Sequence, residues 1–319
     1  MTTRSVLAVV LAFSVAAAAQ SLHSAARINL PSASTRLQFS PSGEQIAVAG
    51  ADHRLRLVKL PSGEIEHVFE AQDIQGTSAL AYSPDGRWIA LGKGAGAVIL
   101  VDASTGSALK QWSAGDREVE TLLFSHDGRK LVVGMSDRPG QLWEVSGEPR
   151  LRFTTHAQFA GLSSAAFSPD DRWLLSADED TIVRIYDVST GKEQASNHDL
   201  LLESFGTVFT RDGKQALVGG ADYAILFVDP ASGQTTRRLG AQPGVIGSLA
   251  AAPDGKHILA TYFDATGLTK PMPILLLDLA TGKSQVVSDG RSVIGCGIAK
   301  DRIWLATAQD QTLELWRWE

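Results

Sequence analysis

Between Trp173 and Asp187 the chain reads "WLLSAD", then "EDT", then "IVRIYD": an apolar stretch, an acidic break, and a stretch in which polar and apolar side chains nearly alternate. Alternation with a period of two, rich in β-branched and aromatic residues, predicts strands rather than helices. The same cadence returns in worn forms along the chain. Its anchor is a five-residue turn: "FSPSG" at Phe39, "YSPDG" at Tyr82, "FSHDG" at Phe124, "FSPDD" at Phe167, "FTRDG" at Phe209 and "AAPDG" at Ala251. Successive anchors lie 42 or 43 residues apart, and a seventh, eroded copy is "GIAKDRIWLA" from Gly297 to Ala306.

The spacing inside each unit holds as well. Thirteen residues after the anchor comes an acid at Asp52, Asp137, Asp180, Asp222 and Asp264, whereas the second unit has Ala95 there. Six residues later stands Val58, Val101, Trp143, Tyr186 or Val228, and Trp316 follows Asp310 by the same count. A turn glycine then precedes a more polar stretch. Each unit therefore predicts four short strands, the first ending on the anchor and the fourth polar as an edge strand should be.

A small sheet with two apolar flanks cannot hide them alone, but stacking on neighbours does so, and closing the stack removes its exposed ends. Seven units of about 42 residues leave no room for a second domain. The expectation is an all-β, seven-bladed β-propeller of four-stranded antiparallel blades. The blades fall at about 34–72, 76–115, 118–156, 161–198, 203–241, 245–288, and 292–319 with 25–31. The last unit stops on its third strand, "LELWRWE", and "ARINLP" at Ala26–Pro31 resembles a fourth strand. Pairing of that segment with Leu313–Trp316 would close the ring.

The register of anchor, acid, aromatic slot and turn resembles the WD-repeat (WD40) family, most closely over "FSPDDRWLLSADEDTIVRIYDVSTG", Phe167 to Gly191, and the resemblance runs from Ala25 to the C-terminus. It implies a propeller that offers a rigid face to another protein. In that family the recurring acid joins a His–Ser/Thr–Asp–Trp hydrogen-bonded set. Here blade four comes nearest, with His156, Ser176, Asp180 and Tyr186; elsewhere the hydroxyl slot holds Val48, Leu91, Val133, Val218 and Ala260. The acids Asp52, Asp137, Asp180, Asp222, Asp264 and Asp310 are expected to be structural, holding tight reversals through backbone N–H groups.

Ahead of the first unit, Arg4 is followed by "SVLAVVLAFSVAAAA", too short to span a bilayer and ending in small residues. It reads as a secretory signal peptide, residues 1–19, cleaved before Gln20. The expected product is exported to the periplasm or outside the cell, without stable membrane insertion. Lys and Arg number 29 against 35 Asp and Glu, a net charge of −6. That balance speaks against a nucleic-acid partner, which needs a basic stripe. The single cysteine, Cys296, falls where other units have Ala79, Thr121, Ser164, Gly206 or Ser248, and reads as small core filler.

Motifs of catalysis are missing from the sequence. The seven histidines form no H-x-H or H-E-x-x-H pair, "TGKS" at Thr281 and "GKGAGA" at Gly92 fail the phosphate-loop patterns, and no G-x-S-x-G occurs. No cofactor or metal is expected. An alternative is a propeller enzyme, lactonase-like or of the quinone- or haem-dependent oxidoreductase kind, with a central-channel site. It would need inward-facing His, Asp or Arg on first strands, which here are small and apolar, as in "LSSAAFS". A third reading is an envelope propeller like those of bacterial translocation systems. The leading expectation is a monomeric, non-enzymatic interaction scaffold. Its candidate partner-binding residues, all on loops expected at one face, are Arg117, Phe159, Tyr223, Lys270, Met272 and Arg291. Lys270 and Met272 belong to a stretch that lengthens the gap between Asp264 and Leu277 to thirteen residues.

Overall fold

The computed structural model describes residues 22–32, 34–69, 76–156, 161–252, 254–264, 272–288, 293–299, 302–309 and 311–318. Its strands assort into antiparallel four-stranded sheets. Six sheets are runs of four consecutive strands. Blade four, for example, orders Leu162–Phe167, Trp173–Asp178, Val183–Asp187 and Glu193–Asn197. The remaining sheet is a composite, in the order Leu22–Asn29, Thr312–Trp318, Arg302–Gln309, Val293–Ala299. This corrects the picture of seven like units: six blades are continuous stretches of chain, and the last sheet exists only where the two ends meet. The pairing is also longer than the sequence suggests. It runs from Leu22 opposite Trp318 to Asn29 opposite Thr312, with Ala26 opposite Leu315 and Ile28 opposite Leu313. Pro31 lies outside the strand.

The burial pattern explains the stacking. Third strands such as Ile225–Val228 are buried at every position, whereas fourth strands such as Ala108–Ser113 are mostly exposed. Each core cluster joins two neighbouring sheets. Leu55, Leu57 and Phe69 of blade one pack with Leu80, Ile89 and Ile99 of blade two. Ile28, Leu313 and Leu315 of the composite sheet pack with Phe39, Ile46 and Val58 of blade one. Burying each such side chain stabilises by about 1.5–3 kcal/mol, so a sheet without its neighbours would forfeit most of its core. Gly106 shows how tight this contact is: at φ +70°, it lies where a Cβ would enter the ring of Phe69 from the preceding blade.

An antiparallel meander sends its turns alternately to two ends. At one end lie the anchor turns between first and second strands and the turns between third and fourth. There Ser83 Oγ donates to Asp85 Oδ1 at 2.6 Å and accepts from Trp88 N–H at 2.9 Å, and Ser168 with Asp170 and Thr210 with Asp212 repeat the arrangement. Hydrogen bonds from Ser168 and Thr210 hold the Asp170 and Asp212 carboxyls below the usual carboxylate range. The fifth residue of each anchor turn faces the third residue of the turn before it: Gly86 lies beside Pro41, Gly128 beside Pro84 and Gly213 beside Pro169. At the other end lie the second-to-third-strand turns and the loops between blades.

Candidate interaction face

The recurring acids among the described residues belong to this second end, and arginines bind three of them. Asp52 is bonded by both terminal nitrogens of Arg56, one at 3.0 Å, and Ser32 Oγ donates to it at 2.7 Å. Arg56 itself is buried. Its hydrogen bond is the largest influence keeping the Asp52 carboxyl well below the ordinary range. In blade four, Arg184 donates to Asp180 at 3.1 and 2.7 Å. Asp222 is bonded differently, by Arg238 from the fourth strand at 2.9 Å. Asp137 is exposed and sits in the left-handed region at φ +53°. Asp264 follows the second strand His257–Phe263, and Asp310 lies outside the described residues.

The blade-four set is wired otherwise than the sequence suggests. Ser176 Oγ donates to Asp178 at 3.0 Å rather than to Asp180, and Arg184 Nη1 joins the same Asp178 oxygen at 3.1 Å. Tyr186 Oη accepts the backbone N–H of His156 at 2.9 Å, while the His156 ring meets Glu193 at 3.3 Å. Asp178 is wholly buried, and its Oδ1 has no hydrogen bond among the described residues. Burial pushes its carboxyl up to about 6, against the opposing pull of Ser176 and Arg184. Sequence reasoning missed Asp178, Arg56 and Arg184. The signal for the arginines was present: Asp52 and Asp180 are each followed four residues later by Arg, on the strand whose next-but-one residue fills the aromatic slot.

Of the candidate partner-binding residues, Arg117 is exposed on the loop between blades two and three, and Tyr223 is exposed on the second-to-third turn of blade five. Met272 is partly buried against the core shared by blades five and six. Phe159, Lys270 and Arg291 lie outside the described residues, as does most of the blade-six insertion. Four apolar side chains not singled out from sequence lie on the loops and strand ends of blades five and six at the same end as Tyr223. Leu201 and Leu202 are 74% and 52% exposed on the loop entering blade five, and Phe263 is 44% exposed at the end of a blade-six strand. The ring of Phe205 meets Phe263 edge-on with centroids 5.5 Å apart. Backbone bonds tie the pieces together, from Ala221 N–H to Glu203 O at 2.8 Å and from Gln242 N–H to Tyr223 O at 3.0 Å. Among the described residues no group of three His, Cys, Asp or Glu is placed to hold a metal ion, and no helix is long and apolar enough to cross a membrane.

A family model described as the nucleolar protein 10-like, N-terminal domain β-propeller matches residues 15–206, more than half of the chain. The chain belongs to this WD-repeat propeller family. Its relatives include WD repeat-containing protein SL1-17 of Schistosoma mansoni, 26% identical over 156 residues, covering 49% of this chain and 51% of that protein. The WD repeat-containing protein WDS homolog of Arabidopsis thaliana is 23% identical over 210 residues, covering 64% of this chain and 39% of the relative. The chain thus spans about half or less of the length of these curated relatives. It also superposes on a solved chain from the crystal structure of the mitotic checkpoint complex with a TM-score of 0.80 at 19% identity, covering 99% of both chains. At that identity the likeness speaks for the WD-repeat fold alone.

Proposed function

We propose that the protein is an exported, non-enzymatic, monomeric WD-repeat scaffold that binds another protein through the second end of its ring. The distribution of exposed apolar side chains carries this reading. Among the described residues, Val68, Leu109, Leu151 and Val286 are dispersed singly on fourth strands, whereas Leu201, Leu202, Tyr223 and Phe263 collect at the loop end of blades five and six. Loops held by a stiff ring are suited to recognition, and WD propellers commonly bind protein partners. Arg117, Phe159, Lys270, Met272 and Arg291 are proposed to contribute on the same face. Export rests on the leader: cleavage before Gln20 leaves the strand Leu22–Asn29 whole.

Affinity capture from an envelope extract, with the chain starting at Gln20 and a variant lacking Thr266–Pro271, tests the scaffold role. The expected result is a stoichiometric protein partner recovered by the intact chain and reduced with the deletion. Equal recovery removes the insertion from the site; the lack of any saturable partner contradicts the scaffold reading. Cell fractionation and N-terminal sequencing test export, with Gln20 expected as the first residue of an envelope or medium protein and Met1 retained in the cytosol as the contrary result.

A further inference from the structure

Tyr223 occupies a position its own chemistry disfavours. The residue after the acid in this turn adopts the left-handed conformation in blade one (His53, φ +62°), blade four (Thr181, φ +64°) and blade five (Tyr223, φ +56°). Glycine or asparagine accepts that conformation readily, whereas for a bulky side chain it is an outlier. The aromatic side chain is 40% exposed, on the same loop end of blades five and six as exposed Leu201, Leu202 and Phe263. A strained residue is informative where the fold gains nothing visible from it. Tyr223 lies outside the described core clusters, so its own fold would tolerate a smaller residue there.

The surroundings say what would cover this patch. The described loop and turn segments that frame it, residues 198–203, 221–224, 240–244 and 261–264, contain no lysine or arginine, and their exposed acids include Asp199 and Glu203. Arg238, on the adjoining fourth strand, is already bonded to Asp222. Asp199 accepts from Thr235 at 2.5 Å, a neutral donor that leaves its charge in place. An apolar surface set in a negative field complements apolar side chains flanked by cations. A second copy of this chain would bring the same carboxylates against themselves.

We infer that this patch docks a short segment of a partner protein in which an aromatic or leucine side chain stands beside lysine or arginine. The inference rests on the scaffold reading and narrows it to blades five and six. Three fluorescein-labelled twelve-residue peptides test it on the full chain by anisotropy: a Leu-Phe centre flanked by lysines, the same centre flanked by glutamates, and alanines flanked by the same lysines. The lysine-flanked apolar peptide is expected to bind best and to weaken as salt rises. Tyr223→Asn should reduce that binding about tenfold, with the thermal midpoint unchanged or raised. Glu203→Lys should also weaken it. Equal binding of all three peptides, or no loss with Tyr223→Asn, overturns the inference. A natural partner still captured in full by Tyr223→Asn and by Leu201→Ser would overturn it while leaving the scaffold role standing.

Discussion

Asp171 of blade four holds the anchor turn of blade three through His126. Its carboxylate accepts the His126 backbone N–H at 2.8 Å, the ring Nδ1 at 2.8 Å and the Asp127 N–H at 2.7 Å. Both residues depart from the turn pattern: His126 stands where four other turns have Pro41, Pro84, Pro169 and Pro253 and one has Arg211, and Asp171 stands where the others have glycine. Proline has no N–H to donate, and glycine has no carboxylate to receive it. The two exceptions therefore compensate each other across the seam, replacing a Pro–Gly contact with hydrogen bonds.

Single substitutions at this pair should together cost more than the double. Asp171→Gly relieves a left-handed residue at φ +56° but orphans its donors, and should destabilise by about 1 kcal/mol. His126→Pro should do the same. The double variant restores the common pairing, so urea denaturation should show less loss than the sum of the two. Strict additivity would contradict the compensation.

Asp178 sets a pH dependence of defined sign. Its folded-state carboxyl titrates near 6 because of burial, above the ordinary 3.8. The folded chain therefore binds more protons than the unfolded one between those values, and stability from this group falls as pH rises through that window. Asp178→Asn should flatten the urea midpoint between about pH 4 and pH 6 relative to the parent. An unchanged slope would remove Asp178 as its source.

Two arginine–aspartate pairs at the same end should differ in worth. Arg56 and Asp52 have side chains 2% and 26% exposed, against 42% and 72% for Arg138 and Asp116. Arg56→Ala leaves a carboxylate without its partner and should destabilise by about 2–4 kcal/mol. Arg138→Ala should cost under about 1 kcal/mol. Chemical denaturation separates them, and similar losses would contradict the assignment of Arg56 as a buried tie.

The parts legible in the sequence were those governed by local rules. Ser83, Asp85 and Gly86 announced their turn because a reversal of that size needs a hydroxyl, an acid and a left-handed residue in that order. Strands followed from side-chain alternation, and the end-to-end pairing followed from a final unit that lacked a fourth strand, although the strand begins at Leu22 rather than Ala26. What escaped was partner choice over distance. The resemblance implied a bond from Ser176 to Asp180, but Asp178, two residues on along the same strand, takes it, and only the folded sheet decides. The exposure of Leu201 and Leu202 was equally hidden, since a leucine run reads as core until the neighbouring Leu200 is seen to take the buried place.

Closure of the ring by the two chain ends is the claim on which the presented face depends, and a covalent link across Arg27 and Glu314 tests it. These residues are register partners whose side chains form an ion pair at 3.6 Å. In a Cys296→Ala background, Arg27→Cys with Glu314→Cys should form an intramolecular disulfide under mild oxidation, located by mass spectrometry, and the oxidised chain should unfold at higher urea than the reduced one. Failure to cross-link, or cross-linking only between separate molecules, would contradict the closed ring.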